Sequence, residues 1–288
     1  MPVNREPATW TPSPRQVERL RVRRRLDARA RLVAAAATVV VLGLLVLGVV
    51  SSPGWPRVRE TFLSWPDARA ALPAIASSFW VNVRMFLVAE PLILVVGVLV
   101  AVTRVTVAPA LFPLRALAVV YTDLFRGVPT LLLVFVVAFG LPALQLRGVT
   151  TSLFWLGVLA LVLSYGAYVA EVFRAGIESV HPSQVASAQA LGLSHAQSLR
   201  HVVVPQAVRR VVPPLLNDFV SLQKDTALIA SVGLVEALRQ AQVYSSYHFN
   251  FTSYLVAAVF FIALTIPLAR LTDWLGRRYA RRERAGAR

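Results

Sequence analysis

The feature that most constrains the fold of this chain is a run of 19 residues, 32–50, that contains no charged side chain. A helix that crosses the hydrocarbon core of a bilayer needs about 20 mostly apolar residues. Nine arginines precede the run, as in a signal peptide, but the run is too long for such a peptide and no cleavage site of small residues stands out. We therefore interpret residues 32–50 as a retained transmembrane helix.

Five further segments are long enough to cross a membrane. Four of them are strongly apolar, namely residues 79–102, 117–141, 152–172 and 254–271. The fifth, residues 205–222, is less apolar and contains Arg209, Arg210, Asn217 and Asp218. Polar helices persist at membrane depth only where protein or a water-filled cavity surrounds them. The sequence therefore predicts an all-α, polytopic membrane protein with six transmembrane helices, the polar one inside the bundle.

Positive charge is distributed unevenly along the chain. Lysine and arginine outnumber aspartate and glutamate by 30 to 14, which gives a formal net charge of +16. If both ends are cytoplasmic, 22 of the basic residues lie in cytoplasmic segments and six in outer segments, an asymmetry typical of membrane proteins. The charge distribution thus predicts an N-in, C-in orientation in the lipid bilayer and requires no nucleic-acid partner. Binding of the basic tails to anionic lipid is a second interpretation that composition does not separate from the first.

Residues 174–204, called the elbow below, connect the fourth and fifth predicted spans and are predicted to form two short helices. Pro182 suits the first turn of a helix, and Gly192 stands where a left-handed residue follows a helix. Ser194 and Gln197 have the spacing of a capping box that begins the second helix, which Pro205 is predicted to end. The result is a helix-turn-helix segment facing the cytoplasm.

The elbow carries a group of small residues that we expect to be exposed, namely Ala186, Ser187, Ala188 and Ala190. Such a surface lets the backbone of another protein approach closely. The alternative is an amphipathic connector that lies on the membrane, and composition alone favours the connector.

Five motifs resemble, in the same order, those of the polar-amino-acid branch of permease subunits in binding-protein-dependent ABC importers of type I. They are FRGVP at 125–129, AYVAEVFRAGI at 167–177, ALGLS at 190–194, PQA at 205–207 and KDTAL at 224–228. Several ordered motifs are more specific than any one of them. The resemblance extends over residues 78–273 and favours the docking interpretation of the elbow.

The elbow also departs from the family pattern. Ser183 and Gln184 replace the usual Gly-Gln pair, and Ala186 begins a triplet that usually reads Glu-Ala-Ala. The acidic residue of that triplet is therefore missing, and docking must rely on shape and backbone contacts, with Gln184 or Gln189 in place of the carboxylate. Val128 and Ala227 replace two hydroxyl-bearing residues of the family motifs.

The resemblance implies a pore-forming subunit of an ATP-driven amino-acid uptake system rather than an enzyme. It implies ABC ATPase subunits that bind ATP and magnesium, an extracellular solute-binding protein, and a second permease subunit that is identical or related. This chain contains no phosphate-binding Gly-x-x-x-x-Gly-Lys-Ser/Thr motif, so no cofactor is expected on it. The docking residues implied by the resemblance are Gln184, Ala186, Ser187, Ala188, Leu191 and Gly192.

The predicted organisation has five parts in the plasma membrane of a bacterium. They are a basic cytoplasmic tail at 1–31, an extra N-terminal span at 32–51, an extracellular loop at 52–77, a five-helix importer core at 78–273 that includes the elbow, and a basic cytoplasmic tail at 274–288.

Polar residues within predicted spans are candidates for the solute path. Glu90 lies near the midplane of its span and precedes Pro91, so it either faces the path, where it would bind the ammonium group of an amino acid, or fixes helix packing. Asn217, Ser221 and Lys224 are spaced four and three residues apart and share one helix face. Hydrogen bonding between helices is the alternative role for that face.

Two other classes of function were weighed against the importer subunit. An ion-coupled secondary transporter usually shows a repeat of its halves, which this sequence lacks, and has no need of the elbow. A membrane-embedded enzyme would need a convergent catalytic or metal-binding group, and the four histidines have neither suitable spacing nor a carboxylate cluster. Glu171 and Arg174, three residues apart, are predicted to form an ion pair near the end of the fourth span.

Overall fold

A computed structural model describes residues 13–106 and 108–286, and within them it contains helices and no strands. Residues 1–12 of the predicted basic tail and the last two residues of the tail at 274–288 lie outside the described part. The α-helices are α1 (Pro14–Val50), α2 (Trp55–Phe62), α3 (Trp65–Val105), α4 (Phe112–Gly127), α5 (Thr130–Phe135), α6 (Leu141–Ala143), α7 (Leu153–Glu178), α8 (Pro182–Ala190), α9 (His195–Ser198), α10 (Val204–Asp225), α11 (Ala237–His248) and α12 (Thr252–Gly286).

Shorter helical turns join several of these helices. The segments Pro109–Leu111 and Thr226–Val232 are 3-10 helices, and Val136–Gly140 and Leu199–Val203 are π-helical. The predicted extracellular loop at 52–77 is also largely helical, since it holds α2 and the first turns of α3.

The chain divides into two compact units, Met1–Glu60 and Thr61–Arg288. In the first unit, α1 begins with a capping box: the Gln16 backbone N–H donates to Ser13 Oγ at 3.3 Å, and the Ser13 backbone N–H donates to Gln16 Oε1 at 2.9 Å. The apolar half of α1 is exposed over its whole length, which suits a helix surrounded by lipid.

Four helical segments among the described residues are long and apolar enough to cross a membrane, namely Leu26–Val50, Trp55–Val105, Leu153–Glu178 and Thr252–Arg278. A fifth results if α4 to α6 count as one span, but the axis bends by 108° there. The predicted span over 117–141 is therefore broken into two segments rather than one continuous helix. The bend falls at Val128 and Pro129, where proline forces the preceding residue into the extended conformation observed (φ −93°, ψ 128°).

The fifth predicted span along the chain, 205–222, corresponds to α10, which is a continuous helix with Pro213 and Pro214 inside it. Its composition is too polar for it to count among the apolar helices, so the number of spans and their orientation stay predictions. The prediction that Pro205 ends a helix is wrong. Pro205 lies in the first turn of α10, where its missing N–H has no intrahelical partner to lose.

The second unit is organised around α7, which is buried along most of its length and packs against α3 and α10. The main core contains Met85, Ile93, Leu161, Leu222 and Ile229. A second cluster joins the first turns of α3 to α11 and α12 through Ala71, Ile75, Ala237, Ala241 and Val256.

Close approach of α3 to α7 depends on Gly97. A Cβ atom at this position would overlap Val169 Cγ1 and would lie 3.3 Å from the Ala170 backbone nitrogen. We expect Gly97→Ala to lower the free energy of unfolding of the detergent-solubilised chain by about 1–3 kcal/mol, because overpacking forces the helices apart.

The measurement is thermal unfolding, with Gly140→Ala as control, since no neighbouring atom lies within 4 Å of a Cβ at Gly140. Adding Val169→Ala to Gly97→Ala should restore most of the loss. Equal melting temperatures for the Gly97 and Gly140 variants would refute the close-packing explanation.

Candidate functional site

The turn of the elbow is fixed by backbone hydrogen bonds after α8. The Gly192 N–H donates to the Gln189 carbonyl at 2.9 Å, and the Leu193 N–H donates to the Ala188 carbonyl at 3.2 Å. Gly192 has φ +86°, which confirms the predicted left-handed residue. Glycine adopts this conformation without the steric cost that a side chain brings.

The predicted capping box follows the turn and is confirmed. The Ser194 backbone N–H donates to Gln197 Oε1 at 2.9 Å, and the Gln197 N–H donates to Ser194 Oγ at 3.3 Å. At the start of α8, the Ser183 backbone N–H donates to His181 Nδ1 at 3.2 Å. Both helices of the elbow therefore begin with side-chain caps, and their ends do not depend on a partner for order.

The elbow exposes most of the predicted docking residues. Gln184, Ala186, Ser187 and Gly192 are exposed, and Leu191 at the turn is 85% exposed. The expected exposure of Ala188 is wrong, because Ala188 is 4% exposed. It lies on α8, which packs against α9 and the following π-helical turn, so its small side chain serves packing within the elbow.

The elbow is attached firmly to the helices on either side. Val180, Val203 and Ala207 form a small apolar cluster where α7 and α10 meet the elbow. The Arg210 guanidinium donates to the Ser179 carbonyl, which ties α10 to the end of α7. The elbow is therefore joined to both helices by apolar packing and by a hydrogen bond.

A cluster of charged side chains surrounds Glu171 near the end of α7. Its carboxylate accepts from Arg174, which confirms the predicted ion pair, and from Arg104 Nη1 of α3 at 2.7 Å. Arg126 Nη1 of α4 lies 3.7 Å from the same carboxylate, and Arg174 also pairs with Glu178. One carboxylate thus joins three helices. The sequence reasoning missed Arg104 and Arg126, which are far from Glu171 along the chain.

The four predicted path residues do not form one group. Glu90 is half-buried on α3, and the carboxyl group of Asp218 on α10 is close enough to interact with it electrostatically. Asn217 is exposed at a 320 Å³ cavity between α10 and α12 that Glu90 does not line. Ser221 is half-buried, and Lys224 is exposed.

Polar residues that the sequence reasoning missed lie at the end of α10. The Tyr165 hydroxyl of α7 donates to Asp225 Oδ2 at 2.7 Å, and the Thr265 hydroxyl of α12 donates to Gln223 Oε1 at 2.7 Å. Asn82 of α3 donates to Thr226 Oγ1 at 3.1 Å. The KDTAL motif marked this position, whereas no pattern in the sequence indicated Tyr165, Thr265 or Asn82.

Among the residues that the structure describes, no three His, Cys, Asp or Glu side chains lie close enough together to hold a metal ion.

The described residues therefore provide two candidate functional features. One is the exposed elbow, which is attached to α7 and α10, and the other is the polar end of α10 inside the bundle.

Residues 93–281 match the family described as "Binding-protein-dependent transport system inner membrane component". The chain is 38% identical over 185 residues to the probable glutamine ABC transporter permease protein GlnM of Bacillus subtilis (strain 168), covering 64% of this chain and 83% of the relative. It is 30% identical over 187 residues to the arginine transport system permease protein ArtQ of the same strain, covering 65% and 83%.

A solved structure entitled "Crystal structure of an amino acid ABC transporter with histidines" is also similar. Its TM-score is 0.65 at 29% sequence identity, with 72% of this chain and 94% of that chain covered. Both the sequence and the arrangement of helices are therefore shared over most of the second unit.

The Glu171 cluster yields a prediction on stability. Glu171→Gln should lower the free energy of unfolding by about 2–3 kcal/mol, because three guanidinium groups lose their shared charged acceptor. Glu178→Gln is the matched control, since Glu178 is more than half exposed and pairs with Arg174 on the same helix, a contact worth about 0.5 kcal/mol. Thermal unfolding of both variants in detergent is the measurement, and equal shifts would contradict the joining role of Glu171.

Proposed function

The chain belongs to the family of binding-protein-dependent transport system inner membrane components, and we propose that it is the pore-forming permease subunit of an ATP-driven importer of an amino acid. The observation that carries the proposal is the elbow. It presents an exposed leucine beside a left-handed glycine and is bonded to two helices of the bundle. The relatives named for glutamine and arginine transport support an amino acid as solute.

The elbow supports docking of a separate ATPase subunit. A connector that lies on the membrane would turn its leucine toward the lipid, whereas Leu191 stands out at the tip of a turn whose neighbours are small and polar. Docking through Gln184, Ala186, Ser187, Leu191 and Gly192 uses shape and backbone contact, which suits a sequence that lacks the acidic residue of the family pattern. Ala188 contributes indirectly, because its small, buried side chain lets α8 pack closely within the elbow.

The proposed mechanism is alternating access. Two ATPase subunits close on ATP and magnesium and displace the elbows of two permease subunits. Val180, Val203, Ala207 and the Arg210 to Ser179 bond transmit that displacement to α7 and α10, and the pore changes from inward-facing to outward-facing. Such coupling needs a stiff element with two discrete positions, and ATP hydrolysis takes place on the partner rather than on this chain.

The remaining partners follow from the same proposal. An extracellular solute-binding protein delivers the amino acid, and the second permease subunit is an identical or a related copy. The chain is a multi-pass protein of the bacterial cell membrane, in which residues 78–273 form the importer core and residues 32–51 form an additional anchor.

The solute path is proposed to run between α3 and α10. Glu90 and Asp218 face the same region from these two helices, and neither forms an ion pair with a cation among the described residues. Every amino acid carries an ammonium group that such carboxylates can bind. Asn217, Ser221 and Lys224 extend the polar face of α10 toward Asp225. An ion-coupled secondary transporter has no comparable support, because GlnM is named as an ABC transporter permease and ArtQ as a transport system permease.

The docking proposal predicts that the elbow tip controls coupling. Leu191→Asp should reduce ATP hydrolysis stimulated by the solute-binding protein, and uptake, by at least about tenfold, because a charge replaces an apolar contact at the interface. The control is Leu146→Asp, which replaces another exposed leucine, 56% exposed on the segment between α6 and α7, and should retain activity. Normal activity of the Leu191 variant would reject docking at this surface.

The backbone of the elbow gives a second test. Gly192→Val should abolish uptake without changing membrane insertion, because a β-branched residue cannot adopt φ +86° without strain. Gly192→Asn, which tolerates this conformation, should keep a substantial part of the uptake. Equal uptake by both variants would show that the left-handed turn is not required.

The path proposal predicts an effect of Glu90→Gln on transport. Removing the carboxylate should raise the solute concentration for half-maximal uptake and change its dependence on pH, because the ammonium loses a charged partner. The measurement is uptake of radiolabelled glutamine, glutamate, arginine and histidine in cells between pH 5.5 and 8. Unaltered uptake with an unaltered pH profile would assign Glu90 to helix packing.

A further inference from the structure

Asn82 is a buried amide with every hydrogen-bonding group in use. Its side chain is 2% exposed, and Nδ2 donates to Glu236 Oε2 at 2.8 Å and to Thr226 Oγ1 at 3.1 Å. Its Oδ1 accepts from the Ala237 backbone N–H at 3.2 Å. A single side chain of α3 therefore fixes both the 3-10 turn after α10 and the start of α11.

Glu236 is the partner of Asn82 and the N-terminal cap of α11. The residue is 1% exposed, and its carboxylate accepts from the Leu238 N–H at 3.0 Å and from the Arg239 N–H at 2.8 Å. The pKa of Glu236 is raised, because its burial outweighs the three hydrogen bonds that lower the pKa. All three bonds need acceptor atoms, which the two oxygens of the Glu236 side chain supply.

Charged side chains near Glu236 do not neutralise it. The charged side chains within three residues of Asn82, Thr226 or Glu236 along their own elements are Arg84 of α3, Lys224 and Asp225 of α10, and Arg239 of α11. None of the three cations forms an ion pair with Glu236 among the described residues. The amide of Asn82 is thus the side chain that stabilises this buried carboxylate.

The segment that Asn82 fixes adjoins the proposed solute path. Thr226 follows Lys224 and Asp225 directly, and Asp225 accepts from the Tyr165 hydroxyl. The position of Asp225 is therefore held from α7 on one side and, through Thr226, from α3 and α11 on the other. On the proposed path, a shift of Thr226 would also shift Lys224 and Asp225, which directly precede it at the end of α10.

We propose that Asn82 and Glu236 are positioning residues that set the affinity of the transporter for its solute by holding Thr226, and with it Lys224 and Asp225, in place. The inference rests on the proposed transport function and adds a determinant of affinity outside the path itself. A role confined to stability would change the amount of folded protein but not the solute concentration for half-maximal uptake.

The test compares Asn82→Asp, Glu236→Gln and the double variant in the assembled transporter. Asn82→Asp places a second buried carboxylate against that of Glu236. The two carboxylates can coexist only when they share a proton. At pH 8 we expect the concentration for half-maximal uptake to rise about tenfold, as for a buried group left without its partner. At pH 6 it should return toward the native value, because the protonated member of the pair donates to the other.

The other two variants separate charge from hydrogen bonding. Glu236→Gln alone places two amide donors against each other and should raise the concentration for half-maximal uptake at both pH values. The double variant restores one carboxylate and one amide with their positions exchanged. It forfeits the bond from the Leu238 N–H and also the bond donated to Thr226 Oγ1, because a carboxylate at position 82 cannot donate. It should therefore keep a raised concentration for half-maximal uptake at both pH values, and it should lose the pH dependence of Asn82→Asp because only one carboxylate remains.

The probes are radiolabelled glutamine, glutamate, arginine and histidine, and the control is uptake by the native transporter under the same conditions. If the native transporter accumulates none of them, the proposed function fails for these solutes. In that case the pair is tested by thermal unfolding of Asn82→Asp, which should melt at a lower temperature at pH 8 than at pH 6, since its raised carboxyl pKa makes stability fall as pH rises. Native-like half-saturation for Asn82→Asp at pH 8, or a melting temperature independent of pH, would overturn the proposal.

Discussion

The end of α10 is the point on which the second unit depends, because polar groups buried in a membrane protein must find partners within the protein. Gln223, Asp225 and Thr226 bond to α12, α7 and α3 respectively. Asn82 extends the same network to α11 through Glu236. Apolar packing in a membrane has little directional preference. These hydrogen bonds, rather than apolar packing, therefore determine how the helices are arranged around the end of α10.

A second fixed point lies nearer the C-terminal end of α7, where Glu171 joins Arg104 and Arg126 from two further helices. The first point of attachment on α7 is Tyr165, near the middle of the helix. Most of α7 is buried, and Gly97 of α3 and Gly176 of α7 stand where a methyl group would overlap a side chain of the neighbouring helix. These bonds and this close packing restrain the second half of α7. That property suits an element that carries displacement from the elbow to the interior of the bundle.

Local features of the sequence predicted much of the fold. Runs of apolar residues located most of the membrane helices, and the left-handed Gly192 and the capping box at Ser194 follow from residue types a few positions apart. The predictions failed where neighbouring turns and packing decide: Pro205 lies in the first turn of α10, directly after a π-helical turn, and Ala188 is buried by packing within the elbow. Asn82 and Glu236, 154 residues apart, carry no signal in a single sequence, because each is unremarkable until the fold brings them together.

The exposed leucine at the tip of the elbow has a consequence before any complex exists. Covering a leucine side chain contributes about 1.5–3 kcal/mol, and the described part of this chain offers Leu191 no cover of its own. Under the proposed docking, a newly inserted copy carries this exposed apolar side chain in water until an ATPase subunit covers it. The proposal therefore gives Leu191 two effects, since it would favour assembly and would also expose an unassembled subunit to aggregation. Matched synthesis of the two subunits would then protect the cell as well as supply the transporter.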